Sequence, residues 1–561
     1  MLNFDKMSIF QLKTFNSIPS KIHYDFNKLT EDILKSTSFK VADLFSLAVS
    51  RHPYQSPFFD ICIKLEMASL YLAEGISFKK IITSDLELYK ILNKSNLDCK
   101  LEFKETKNID YFFGSVFHII KRISRILLIT FNELLSRDKS RISKLLSLSS
   151  VTLIDTFMLP NSISSKRYLD RYYNGLFTYL DDNTKKNTFY LPHINANYSR
   201  SDLKKVYINS DENIVFKHDF LKVSDYIQAI FLLSKHKVHN NSKFYFKNFN
   251  ITNFIKKNIK NEKFNSSSFW ALLNYFFIKR LKQNKIKLES FINWNENQPI
   301  DKGLVRGIHD FYPKIVVKGY RAFIVSTDYN LYLMPTQFEV DNKVIPDEII
   351  VTGSGLVDQV RGFCENIKVS VGPAFRFQDI NKPTRFLKNK KSILVALPIG
   401  FDDSVNIINS LIEIQKYIKF DYYKFIIRPH PTNSIESLQL RIRDIGKINY
   451  CWSKGDFRDN VLDSFLLISN TSSTLLESLA YGVSVIIVGS NKSITQNPIP
   501  KTIDKRLWSI VYNAKDLANK IIFFHNFSES NQQDIIKSSA LIKKEFFGQI
   551  TKNHVNKLLN I

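Results

Sequence analysis

Cysteine is scarce in this chain. Cys62, Cys99, Cys364 and Cys451 are the only four in 561 residues, and no two form a Cys-x-x-Cys pair. That excludes a finger-type zinc site and a disulfide framework, and it suits a reducing compartment. Long apolar runs are missing too. No stretch reaches the roughly 18 uncharged apolar residues of a membrane span, and Met1-Leu-Asn-Phe-Asp-Lys6 lacks the basic start and apolar run of an export signal. A cytoplasmic chain without a resident cofactor or metal is the expectation. Acidic residues are few beside basic ones, 53 against 79, which leaves a net charge of +26. Such an excess favours an anionic partner. Most of it is lysine in a chain also crowded with Asn, Ile, Phe and Tyr, and no nucleic-acid-binding module accompanies it, so nucleic acid is not an expected partner.

What is present is globular in character. The apolar share of 44% and charged share of 24% do not call for long disordered tails. The length suggests two large domains or three smaller ones. From Val116 to Leu135, the apolar residues Val116, Ile119, Ile120, Ile123, Leu127, Phe131 and Leu134 recur at helical spacing opposite Lys121, Arg122, Arg125 and Glu133. This predicts an amphipathic helix that either packs on its own domain or lies on a membrane surface.

Short β-rich runs followed by helical patterns, as at Lys80–Asp85 and Val151–Asp155, argue for parallel α/β construction. Residues 235–290 shift to Asn, Lys, Phe and Ser and read as an insertion. Strand signals return at Tyr320–Ser326, Leu331–Pro335, Glu348–Gly353 and Lys368–Pro373. The division expected is an N-terminal Rossmann-like domain over 1–375, a basic linker over 376–391, a C-terminal Rossmann-like domain over 392–545 and a final helix over 546–561. In the C-terminal part the alternation is cleaner: strands at Ser392–Leu397, Lys424–Arg428, Ser464–Ser469 and Val483–Val488, with helices between. That order predicts a doubly wound sheet.

Ligands of open parallel sheets sit at the carboxyl ends of the strands, so residues just past each strand are read first. Arg428-Pro-His-Pro431 is one such place. Its prolines hold Arg428 and His430 in a stiff extended turn, and a guanidinium and an imidazole on one strand end suit phosphate. Asn433 is placed to cap the next helix. The other place is Ser469-Asn-Thr-Ser-Ser-Thr474, a strand running into a helix start, where the Ser472 and Ser473 hydroxyls would meet phosphate and Thr474 with Glu477 reads as a capping box. The two end successive strands of this reading. Gly400, after the first strand of the domain, would let backbone approach phosphate. Asp456, between the two motifs, would accept ribose hydroxyls.

The Arg-Pro-His-Pro turn with Ser-Ser-Thr-Leu-Leu-Glu-Ser-Leu-Ala-Tyr-Gly resembles the donor half of GT-B glycosyltransferases that use CMP-activated acidic sugars. The resemblance implies that His430 and Pro431 meet the CMP phosphate together with Ser472, Ser473 and Thr474. The glycerophosphotransferases of teichoic-acid synthesis resemble this half as well, so a CDP-polyol donor stays open. Trp294-Asn-Glu-Asn-Gln298 with Gly319-Tyr320, Met334-Pro-Thr336, Glu339 and Pro346 is similar to a bacterial family of surface-carbohydrate biosynthesis proteins. That likeness implies a role in capsule, lipopolysaccharide or similar polysaccharide, with a nonulosonic acid or Kdo as the sugar. Arg321-Ala322 stands where that family has Gln-His, which keeps a catalytically silent GT-B-like partner of an assembly complex among the readings. Inverting transfer needs a carboxylate facing the donor; Glu296 is the first candidate and Asp301 the second. The partners implied are a nucleotide sugar, a lipid-linked or oligosaccharide acceptor, and peripheral contact with an anionic inner membrane.

Overall fold

The computed structural model describes residues 1–561 apart from 38–39, 47–48, 76–78, 96, 106–113, 139, 160–161, 165–166, 195–197, 211–212, 383–390, 419–421, 443 and 492. Half of the expected linker, 383–390, therefore lies outside the described residues, as does the side chain of Val116.

Three parallel sheets carry the chain. Strands β1 (Leu2–Asn3), β2 (Lys80–Thr83) and β3 (Lys100–Phe103) form a small one. The long helix Ile9–Lys35, started by a Ser8/Gln11 capping box, packs with Phe58–Ala73 against this sheet through Phe15, Ile22, Phe58 and Phe59. The 1–375 span is thus not one unit: its first hundred residues have their own sheet.

Strands β4 (Val151–Met158), β5 (Thr188–Ile194), β6 (Leu288–Trp294), β7 (Val317–Arg321), β8 (Glu348–Val351) and β9 (Lys368–Val371) make the second sheet, in the order β9-β8-β7-β6-β4-β5. Alternation explains its two covered faces. Leu153 and Phe291 point to one core with the helix Ser266–Gln283, while Ile154, Ile292 and Trp294 point to another. The final helix, Lys552–Leu559, buries Val555, Leu558 and Leu559 in that second core, so the chain end returns to this sheet.

Strands β10 (Ser392–Ala396), β11 (Lys424–Arg428), β12 (Tyr450–Trp452), β13 (Ser464–Ser469), β14 (Ser484–Val488) and β15 (Trp508–Val511) form the third sheet, in the order β12-β11-β10-β13-β14-β15. Numbered within its own domain this is 3-2-1-4-5-6, the Rossmann order, and the second sheet is 2-1-3-4-5-6, an order of the flavodoxin kind. The α/β reading with two Rossmann-like sheets holds.

Several local expectations are corrected. Residues 235–290 are not one insertion. Phe246, Phe249 and Phe254 join the first, small core, whereas Ser266–Gln283 is a central helix of the second. The contact is backbone on backbone: a Cβ on Gly303 of the helix Pro299–Phe311 would lie 2.0 Å from the Ala271 carbonyl oxygen. Leu331–Pro335 is not a strand, because Leu331–Leu333 closes a 3₁₀ turn, and strand pairing stops at Arg321 rather than Ser326. The helix Gln532–Phe546 crosses the expected boundary at 545. Its Ser539 hydroxyl donates to the Ala480 carbonyl in the third-sheet domain, and the Phe546 carbonyl accepts from the Thr352 hydroxyl beside β8.

Candidate active site

Chain order reverses between β10 and β13 in the third sheet and between β4 and β6 in the second. A crevice opens at the carboxyl ends of strands at such a switch point. The sequence motifs fall on these two places.

In the third sheet, β11 delivers Arg428 and His430 on one side of β10, and β13 delivers Ser472–Thr474 on the other. The motifs therefore do not end successive strands, as expected: β12 falls between them in the chain and β10 lies between them in the sheet, and two strand spacings are about 10 Å. The His430 ring has to reach over the Pro398–Gly400 turn to share a ligand with the hydroxyls. Asn433 fixes that turn instead of capping a helix. Its Nδ2 donates to the Pro398 carbonyl at 3.2 Å and the Ile399 carbonyl at 3.3 Å, and Ser434 is the cap of Ile435–Arg441.

His430 Nδ1 accepts from the Thr432 backbone N–H at 3.3 Å, with the Thr432 hydroxyl 2.7 Å away. In the neutral ring the proton then sits on Nε2, which is left to donate. Burial lowers the His430 pKa below its ordinary value, so that neutral form prevails at neutral pH. Arg428 is turned aside: Nη1 donates to Ser453 Oγ at 3.1 Å and to the Gly455 carbonyl at 2.9 Å. It braces the 453–456 loop and with it Asp456, which starts the helix Phe457–Leu462 and is exposed. Pro431 closes the rigid turn beside His430, and is exposed.

The Thr474–Glu477 capping box is not formed. Ser473, already helical at φ −57° and ψ −24°, is the cap and makes no side-chain cap bond; its hydroxyl donates to Glu477 Oε1 at 3.2 Å. The Ser472 hydroxyl accepts from the Thr474 N–H at 3.2 Å. Thr474 Oγ1 and Asn470 Nδ2 are both buried with no partner. Buried polar atoms are almost always paired, so two orphans at one strand end mark a place for a ligand. Gly400 caps Phe401–Glu413, whose first turn carries Asp402 and Asp403, and a Cβ there would stand 3.0 Å from the Asp403 carboxylate. Those acids make its turn a poorer phosphate contact than the hydroxyl turn after β13.

In the second sheet, Glu296 follows β6. Its Oε1 accepts from the Trp294 indole Nε1 at 2.8 Å and its Oε2 from Gln298 Nε2 at 2.5 Å. Burial raises the Glu296 pKa, against those two bonds and the charges of Arg376 and Arg321. Asp301 is different. It is 2% exposed, and its Oδ2 accepts from the Glu296 N–H at 2.9 Å and the Gln298 N–H at 3.1 Å, the capping box of Pro299–Phe311. It shapes the loop that presents Glu296 and has no free face for an acceptor.

Three residues of this site were not singled out from sequence. Asp155, on β4 across the switch point, accepts from Asn293 Nδ2 at 2.7 Å and from the Trp294 N–H at 3.2 Å, and burial pushes its pKa up to about 8. Its signal was visible: an acid following the apolar run Val151-Thr-Leu-Ile, the pattern that drew attention to Arg428. Tyr172 packs its ring 4.1 Å from Trp294. Arg376, exposed at the start of the linker, opposes with its charge the rise that burial causes in the pKa of Glu296 on one sheet and of Glu477 on the other. Its charge is thus felt at an acid of each sheet. Arg321 is buried beneath, donating from Nη2 to Asn295 Oδ1 at 2.7 Å; burial pulls its pKa down to about 10.

No family model and no curated protein matches the chain. Among solved structures it is similar in outline to a UDP-N-acetylglucosamine 2-epimerase from Listeria monocytogenes (9% identity, 73% of this chain and 95% of that one, TM-score 0.41). It is similar also to a lipopolysaccharide outer core galactosyltransferase, WaaB (13% identity, 73% and 99%, TM-score 0.40). A UDP-GlcNAc 2-epimerase from Neisseria meningitidis bound to UDP-GlcNAc gives 14% identity over 70% and 98%, with a TM-score of 0.38. At these values the likeness is one of general fold, and function rests on the residues of the site.

Proposed function

We propose that this chain is a GT-B glycosyltransferase that moves an acidic sugar, a nonulosonic acid or Kdo, from a CMP donor to a lipid-linked or oligosaccharide acceptor of a bacterial surface polysaccharide. The observation that carries this reading is the set of groups at the two switch points: Glu296, oriented by Trp294 and Gln298, at one, and the His430 ring with the orphaned Thr474 hydroxyl at the other.

The chemistry follows from those groups. Glu296 takes the proton of the acceptor hydroxyl as its oxygen attacks the anomeric carbon, which makes an inverting transfer. The bond from that carbon to the phosphate oxygen breaks and CMP leaves with the electron pair. His430 Nε2–H donates a hydrogen bond to the departing phosphate, and the hydroxyls of Ser472, Ser473 and Thr474 receive the rest of its charge. Burial that raises the Glu296 pKa makes it a better base than an exposed glutamate. No step calls for a metal. Donor and acceptor are both anionic on this reading, and the charge of +26 favours them and a peripheral position at an anionic leaflet.

The polyol-phosphate reading keeps the pocket and changes the donor to a CDP compound. A UDP donor is a third arm, since the similar structures include one bound to UDP-GlcNAc. A silent partner would release no nucleotide at all. Nucleotide release on mixing the chain with CMP-sugar and acceptor tests the proposal: release from wild type and none from Glu296→Ala supports it, while none from either sinks it.

A further inference from the structure

The helix Gly114–Leu135 was expected either to pack its apolar stripe on its own domain or to lie on a membrane surface. The stripe packs only in part: Ile126 is buried, but Ile120, Leu127, Leu128, Phe131 and Leu135 are between 49% and 60% exposed. At 100° per residue these five fall within one sector of the helix, running four turns along its outer side. A second helix, Val223–Lys235, repeats the pattern with Val223, Ile227 and Phe231 at i, i+4 and i+8, between 51% and 63% exposed. Both helices pack on Ser266–Gln283, and the Tyr226 hydroxyl donates to Glu133 Oε2 at 2.8 Å between them. Their outer sides therefore adjoin on one face of the molecule.

The charges on that face have one sign. Between residues 119 and 135 the single acid is Glu133, turned inward to Tyr226; on Val223–Lys235 it is Asp225, buried against Arg280 with Nη2 to Oδ1 at 2.7 Å. What remains outside is Lys121, Arg125, Lys222 and Lys235, with Ser and Asn, and the Lys235 ammonium lies 3.9 Å from the Phe231 ring centre. Apolar residues flanked by cations with no exposed acid match the boundary of an anionic bilayer, where the rings and branched chains enter the acyl edge and the lysines meet headgroups. No helix among the described residues is long and apolar enough to cross a membrane.

We propose that this two-helix face seats the protein on an anionic lipid surface, with Leu127, Phe131 and Ile227 as the inserted residues. The seat does not depend on the donor chemistry and is read without substrate, so its failure would leave that reading standing. Cosedimentation of the full chain with vesicles of phosphatidylcholine and phosphatidylglycerol in equal parts, against pure phosphatidylcholine, tests it. Binding to the anionic vesicles, weakened about tenfold or more in Leu127→Glu/Phe131→Glu and in Ile227→Glu, is the expected result. Leu440→Glu, which changes an exposed leucine of the third-sheet domain, should bind as wild type. Equal binding by the helix variants overturns the proposal, as does wild type that ignores anionic vesicles. So does a dimer of the wild-type chain that the helix variants dissociate while vesicle binding stays unchanged, because the face would then join two copies.

Discussion

The Trp294 indole holds Glu296 from two residues away: its Nε1 donates to Oε1 at 2.8 Å, while the Trp294 backbone N–H is itself tied to Asp155 at 3.2 Å. The carboxylate is thereby oriented from the floor of the second sheet. Replacing Glu296 by Gln keeps the shape and the acceptor for Trp294 but removes the base. Turnover should fall about 10²- to 10⁴-fold, with nucleotide affinity unchanged. Calorimetry beside steady-state rates separates the two, and equal loss in both would place Glu296 in binding instead.

Asp155 gives a prediction in pH. Its pKa is raised from the ordinary carboxylate value to about 8, burial being the main cause. The folded state thus holds a proton that the unfolded chain releases, so this group favours folding below about pH 4 and that advantage is lost as pH climbs toward 8. Asp155→Asn keeps an acceptor for Asn293 and Trp294 without the titration. Denaturant midpoints at pH 5 and pH 9 should differ less for the variant than for wild type.

His430 is predicted to work as a neutral donor. With its pKa lowered by burial, CMP affinity should be flat between pH 7 and 8 and rise only below the ordinary imidazole range. His430→Ala should weaken CMP by about 1–3 kcal/mol, a hydrogen bond to a charged group. Titration across pH reads both, and a steep change between pH 7 and 8 would contradict the neutral form.

Thr474 tests the orphaned hydroxyl. Because Oγ1 is buried without a partner, Thr474→Val should leave the melting temperature equal or higher while weakening nucleotide about tenfold. A variant that melts lower and binds normally would make the hydroxyl structural.

Arg51 locks the first hundred residues to the second sheet domain. Nη2 meets Glu339 Oε2 at 2.7 Å, Lys302 reaches Oε1 at 2.8 Å, and all three are buried. Burial opposes ionisation of Glu339, but the charges of Arg51 and Lys302 win and hold its pKa down at about 2. Arg51→Met should destabilise by about 3–5 kcal/mol, seen in denaturant unfolding. For wild type, the Glu339 contribution persists above the ordinary carboxylate value and fades as pH falls toward 2.

Four strands of the third sheet were legible because they end in Pro, Gly or hydroxyl residues and their helices carry clear periods, whereas β12 and β15, short and half-buried, were not read as strands. The first hundred residues alternate in the same way as those of the second sheet, and sequence pattern does not tell which strands share a sheet. Leu331–Leu333 looked like a strand because a buried 3₁₀ turn is also a short apolar run. In the site, His430 stood out through its rigid proline neighbours, and Glu296 through the resemblance carried by Trp294–Gln298. Arg376 did not, since one arginine in a basic stretch carries no local mark; its charge bears on Glu296 and Glu477 only in the folded chain.

Calorimetric titration of the wild-type chain with CMP, CDP and UDP tests the central claim most directly. The account predicts that CMP binds tightest and that Thr474→Val weakens it about tenfold. CMP binding no better than UDP would contradict it.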